Sequence, residues 1–222
     1  MSPALRRLLG TVAVVIALAT LALGAAAGFP DPNKDVRVPD GTRTQTAVFA
    51  GGCFWGIEAV FERLNGVLDV VSGFAGGSRN TAHYEMVSMG NTGHAESVRI
   101  AYDPARISYG RLLKVFFAVA HNPTELNRQG PDDGPQYRSS IFAVTDDQRD
   151  VATAYIRQLN EARVFSRPIV TTVVPLADSF YPAEDYHQNF VERNPTYPYV
   201  VYNDLPKLAH LKKEFPELLK RQ

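Results

Sequence analysis

Apolar positions along the chain come in short blocks, and their spacing alternates between sheet-like and helix-like. Residues 46–50 (TAVFA) form a compact apolar run closed by Gly51-Gly52, which predicts a buried strand. Residues 53–64 (CFWGIEAVFERL) follow, with Ile57, Val60, Phe61 and Leu64 at helical spacing, so a helix begins near Cys53. Residues 67–74 (VLDVVSGF) read as a second strand leading into a glycine-rich loop. Residues 96–102 (ESVRIAY) alternate polar and apolar, the pattern of a half-buried strand. Ser108 is placed to cap a helix reaching Ala120, with Leu112, Leu113, Phe116 and Phe117 turned inward. Residues 121–137 predict a long loop rich in Gly and Pro, and residues 140–144 another strand. Thr145, Asp146 and Gln148 open a helix that runs to about Ala162. The β-branched run 169–174 is the last expected strand. A short helix around 184–193 and an apolar-patterned tail over 205–219 close the chain. Strands and helices mix without strict alternation, which points to an α+β fold rather than a doubly wound sheet.

The N-terminus stands apart from this pattern. Arg6 and Arg7 precede an uncharged apolar run over 8–24, and Ala25-Ala26-Ala27 supplies small residues for cleavage. Residues 1–27 therefore read as a secretory signal, with an uncleaved membrane anchor as the rival, and predict an exported protein, periplasmic or secreted. Residues 28–45 are polar and rich in Pro and Asp, a linker or extended lead-in. A catalytic domain is expected over 46–200, followed by a tail over 201–222. With 45% hydrophobic residues in 222, the chain can bury a full core as one domain. Its 23 basic and 23 acidic residues cancel, so no net field draws it toward nucleic acid.

One cysteine in an exported chain forms no internal disulfide. Cys53 is then an intermolecular link, an inert buried thiol or a reactive one. Its place favours reactivity: two glycines precede it, and it stands where a strand hands over to a helix. Unpaired N–H groups and the positive helix end favour thiolate there. Phe54 and Trp55 follow directly and are suited to wall an apolar cleft beside the sulfur, one that would hold a methyl or thioether group. His94 and His187 raise the possibility of a cysteine hydrolase. The scattered histidines match no metal-ligand spacing, and no nucleotide-binding loop is present.

The segment GGCFWGIEAVFERLNGV (51–67) resembles the active-site motif of the A-type peptide methionine sulfoxide reductases. VVSGFAGG (70–77), HYEMVSMGNTGHAESVRI (83–100), NRQGPDDGPQYRSSIF (127–142) and FYPAEDYHQNFVERNP (180–195) are similar to further blocks of that family, in the family's order. The resemblance covers roughly 46–200. It implies a two-layer α/β sandwich with a mixed sheet and the catalytic cysteine at the N-terminus of the first core helix. It implies reduction of the S epimer of methionine sulfoxide, free or in oxidised proteins. Cys53 would attack the sulfoxide sulfur, Glu96 would donate a proton to the oxygen, and Tyr84 and Tyr137 would bind that oxygen. Asp132 would line the site, and Phe54 and Trp55 would cradle the methyl group. No bound cofactor or metal is implied.

These assignments make chemical sense. Sulfoxide oxygen leaves poorly until protonated, and a carboxyl held neutral by burial can supply the proton. Tyrosine hydroxyls can donate to the developing negative oxygen while staying neutral. Two departures stand out. Pro131 and Pro135 replace the Asn and Thr common in the family, and the tail lacks the resolving cysteines many members carry. Cys53 would therefore become a sulfenic acid that needs an external thiol reductant: a thioredoxin-like protein, a glutaredoxin or a small thiol. The protein is expected to work as a monomer. A cysteine hydrolase using Cys53 and His187 and a non-catalytic module that binds oxidised methionine are the competing readings.

Overall fold

The computed structural model describes residues 28–176 and 180–221; the expected leader, 1–27, lies outside them. Eight strands and six α-helices are described. In chain order they are β1 (Gln45–Gly51), α1 (Phe54–Glu62), β2 (Val67–Ala75), α2 (Tyr84–Val87), β3 (Ala95–Tyr102) and α3 (Tyr109–Val115). Then come β4 (Arg128–Gln129), β5 (Asp132–Asp133), β6 (Ser139–Ala143), α4 (Asp146–Glu161), β7 (Thr172–Pro175) and β8 (Tyr181–Pro182). The last helices are α5 (Phe190–Arg193) and α6 (Leu205–Glu214).

Six strands form one sheet in the order β7-β6-β1-β3-β2-β8. Only the β6–β7 pair is parallel, so the sheet is mixed, as expected, and the fold is α+β. Strands β4 and β5 make a small separate hairpin.

Period-two alternation divides β1 between two faces. Ala47 and Phe49 point into the main core, while Val48 and Ala50 join a smaller cluster with Ala75, Ala95 and Phe142. Phe49 is the centre of the main core, stacked on Phe116 at 4.9 Å and packed against Phe61 at 5.7 Å. Helix α1 packs on β2 and β3, and α4 on β6 and β7. Strand β3 supplies Val98, Ile100 and Tyr102 to the same helix-facing core. Glu96 falls on that apolar row, two residues before Val98.

Several expected elements shift for identifiable reasons. Ser108 caps α3 through its hydroxyl as predicted, but the helix widens into a π-turn over Phe116–Ala120. Strand β7 begins at Thr172 because the backbone N–H groups of Ile169 and Val170 donate elsewhere, to Asn160 Oδ1 and Pro123 O. The helix expected over 184–193 is split into a 3₁₀ turn (Asp185–His187) and α5 by Asn189, whose φ is +53°. Residues 28–44, read as a linker, have no regular structure but are docked. Lys114 Nζ holds Asp31 at 2.9 Å, Tyr155 Oη donates to Pro30 O at 2.6 Å, and Gly110 N–H donates to Asp35 at 2.9 Å.

The tail is docked as well. Helix α6 packs against α1, Leu64 bridges to Leu219, and Lys220 N–H donates to Arg63 O at 2.9 Å.

Candidate active site

Cys53 is the N-cap of α1, two residues past the end of β1's core-facing run. The turn that delivers it needs both glycines. Gly52 has φ +99°, and a Cβ there would lie 2.5 Å from Gln129 Cγ; a Cβ on Gly51 would lie 2.8 Å from the His121 ring. His121 is itself fixed by Ser139 Oγ at 2.7 Å and Phe116 O at 3.0 Å, and burial pushes it down to about 3, so it is neutral.

The register brings the acid to the sulfur. Phe49 pairs with Val98 across β1 and β3, so Gly51 and Glu96 come level two residues further on. Glu96 Oε2 accepts a hydrogen bond from Phe54 N–H at 3.1 Å. Burial raises this carboxyl to about 8 although that N–H opposes the shift; at neutral pH it is mostly protonated.

Cys53 does not match the thiolate expected from its helix position. It is 8% exposed, and burial pushes the thiol well above its usual range. Glu96 and Asp204 push the same way; the Trp55 N–H and Lys207 oppose. Desolvation outweighs the helix terminus, so the resting sulfur is a neutral thiol.

Cys53, Phe54, Trp55, Tyr84, Glu96, Asp132 and Tyr137 all line one cavity of about 170 Å³. The seven residues singled out in the sequence thus converge. Tyr197 and Tyr199 also line it and were missed. Both come from the NPTYPYVVY stretch, where tyrosine density is the only signal. Tyr199 Oη donates to Asp132 Oδ2, coupling the tail to the β4–β5 hairpin. Burial pushes Tyr84 up to about 12 and raises Tyr137 too, so both are neutral hydroxyl donors.

The walls are held by aromatic contacts. Phe54 is fully buried against Phe74, and Trp55 stacks on Phe190 at 3.7 Å. Trp55 Nε1 donates to His187 Nδ1 at 3.1 Å, so that ring nitrogen's lone pair is already engaged. Burial lowers His187, keeping it neutral, and it supports Trp55 rather than lining the cavity. His94 bonds Gly77 N–H and Ser78 O and shapes the loop after β2. Among the described residues no group of three or more His, Cys, Asp or Glu is placed to hold a metal.

A thiol at a helix N-cap, a neutral carboxyl and tyrosine hydroxyls around one small aromatic cavity mark a cysteine enzyme class suited to a small polar group on an apolar body. The family model described as peptide methionine sulfoxide reductase matches residues 45–219, and the chain belongs to that family. The chain is 58% identical over 175 residues to peptide methionine sulfoxide reductase MsrA 2 of Mesorhizobium japonicum, covering 79% of this chain and 89% of that protein. It is 55% identical over 195 residues to an MsrA 2 of Synechocystis, covering 87% and 91%. Mxr1 from Saccharomyces cerevisiae in reduced form superposes with a TM-score of 0.62 at 31% identity, over 74% of this chain and 92% of that one. Methionine sulfoxide reductase A of Corynebacterium diphtheriae gives 0.60 at 33% identity, over 75% and 82%. The enzyme is accordingly a peptide-methionine (S)-S-oxide reductase.

Proposed function

We propose that Cys53 attacks the sulfoxide sulfur while Glu96 protonates the sulfoxide oxygen. The observation that carries this reading is the convergence of the Cys53 thiol and the neutral Glu96 carboxyl on one cavity walled by Phe54 and Trp55. The aromatic walls suit the methyl and thioether carbons, and sulfur–aromatic contacts favour them. Tyr84 and Tyr137 donate to the oxygen as it gains negative charge. Asp132, held by Tyr199, lines the same cavity.

The step balances without a cofactor. Attack forms a bond between the Cys53 sulfur and the substrate sulfur as the Cys53 S–H bond breaks; passage of the protonated oxygen onto the Cys53 sulfur then breaks that S–S bond and the substrate S–O bond and forms the S–O bond of the sulfenic acid. Two electrons pass from the cysteine sulfur to the substrate sulfur. The oxygen leaves with the Glu96 proton, the thiol proton restores the carboxyl, and the products are thioether and Cys53 sulfenic acid. An external thiol then displaces water to give a mixed disulfide, and a second thiol releases Cys53. A thioredoxin-like protein, a glutaredoxin or a small thiol fits this requirement, because the chain carries no second cysteine. Substrates are free methionine sulfoxide and oxidised proteins.

The test is Cys53→Ser assayed with dithiothreitol and an (S)-methionine sulfoxide peptide. Complete loss of reduction is the expected result; retained turnover refutes the mechanism, and retained binding without any wild-type turnover favours a binding module. Export rests on residues 6–27, and cell fractionation tests it: recovery of the full-length chain in the cytosol excludes it.

A further inference from the structure

Large apolar side chains that reach solvent are scattered singly along the described residues, except over residues 197–205. There Tyr197, Val201, Tyr202 and Leu205 are all exposed, Tyr202 at 78%. Val201 N–H donates to Tyr197 O at 3.0 Å, so Val201 stands one helical turn above Tyr197, and Leu205 follows four residues on at the start of α6. The inward face of the same segment is a separate row: Val200 and Leu211 are fully buried, and Leu208 packs against the core. A surface helix normally turns polar and charged residues outward. Here the outward row is apolar, and the one acidic residue between Arg193 and Lys207, Asp204, is buried. Single exposed apolar side chains are ordinary, but several side by side mark a binding surface.

The row begins at the cavity. Tyr197 lines the same space as Cys53, Glu96 and Tyr137, yet it is 48% exposed. Its ring stands edge-on to Trp55 at 6.3 Å and to Phe190 at 5.6 Å, which ties it to the aromatic wall beside the sulfur. One side of Tyr197 therefore belongs to the cavity and the other to solvent, where Val201, Tyr202 and Leu205 continue it outward. At about 1.5 Å per residue the row is about 12 Å long, the length of roughly four residues of extended chain.

A peptide methionine sulfoxide reductase takes one side chain of a polypeptide into its cavity, so the residues on either side of that methionine lie on the rim. Methionine fills gaps in apolar cores, and its oxidation disrupts that packing. A segment that carries the sulfoxide therefore arrives with apolar neighbours exposed. A charge-free apolar row leading away from the cavity fits such a segment and offers nothing to a charged one. We propose that Tyr197, Val201, Tyr202 and Leu205 form a docking face for the apolar residues that flank methionine sulfoxide in an unfolded polypeptide. The inference rests on the reading of the Cys53 cavity as the sulfoxide site and adds to it a preference among substrates.

The experiment measures kcat/KM with dithiothreitol as reductant, so that no reductant protein has to dock. Three substrates are compared: N-acetyl-(S)-methionine sulfoxide, a short peptide with the sulfoxide between Leu, Val and Phe, and the same peptide with Ser and Gly flanks. The variants are Tyr202→Ser and Val201→Ser/Tyr202→Ser in full-length protein; neither residue lines the cavity. Wild type should favour the apolar peptide over the other two substrates. The double variant should lose about tenfold in kcat/KM on that peptide, mainly through KM, and stay within a factor of about two of wild type on the N-acetyl amino acid. Thermal melting checks folding; if the double variant does not fold, Tyr202→Ser is read the same way. An unchanged kcat/KM on the apolar peptide overturns the proposal, as do equal losses on all three substrates. A loss seen only when a thioredoxin-like protein replaces dithiothreitol overturns it too, and assigns the face to the reductant. Failure of the nucleophile reading shows separately, as sulfoxide reduction surviving in Cys53→Ser.

Discussion

Replacing Glu96 with Gln removes one acidic proton while keeping the side chain's volume. Glu96 is 2% exposed, and burial lifts its carboxyl to about 8. An acid with that pKa is about 0.9 protonated at pH 7 and about 0.1 at pH 9. The thiol proton stays within the site during oxygen transfer, so ionisation of Cys53 to solvent does not offset the loss of acid. The rate of the first turnover should therefore fall about tenfold between pH 7 and pH 9 in the wild type. Glu96→Gln should lose roughly 10²–10⁴-fold at pH 7, the usual worth of a general acid, and the remaining rate should lack this falling limb. Rapid quench of thioether formation, with enzyme in excess over sulfoxide, isolates this step from reductant turnover. A Glu96→Gln variant within a factor of about three of wild type, or one that keeps the limb near pH 8, would refute the assignment.

Glu58 offers a stability test away from the cavity. It is 1% exposed and raised to about 8 by burial first and by Glu62 second, with Asn189 N–H opposing. The folded state keeps a proton that the unfolded chain releases above about pH 4.5, so stability drops as pH rises toward 8, by up to about 1.4 kcal/mol per unit. Urea unfolding at pH 5 and pH 8 should show a flatter dependence in Glu58→Gln than in wild type; equal slopes contradict the burial argument. Trp55→Phe keeps a ring on Phe190 but leaves His187 Nδ1 buried without its donor. It should cost about 1–3 kcal/mol in denaturant unfolding, and an unchanged midpoint would show that the hydrogen bond is not needed.

The strands and most helices were legible because each buries one face against a single core. Spacing alone located β1, α1, β2, β3 and α4 within a residue or two of their ends. Errors arose where a backbone group found a distant partner. Asn189 N–H donates to Glu58 across 131 residues of sequence, which breaks a segment that reads as one helix. The same rule governs the site. Glu96 was recoverable because it sits in phase with the apolar row of β3, and Cys53 because two glycines precede it. Tyr199 was not, since its role depends on Asp132 in a hairpin far upstream. The thiolate expectation failed because spacing reveals a helix end but not how deeply its cap is buried.

The most direct measurement mixes reduced protein anaerobically with an (S)-methionine sulfoxide peptide and no external thiol. The account predicts one equivalent of thioether per chain, then arrest, with a single added oxygen on Cys53 that dimedone captures. Absence of thioether, continued turnover without added thiol, or an unmodified Cys53 after stoichiometric product would contradict it.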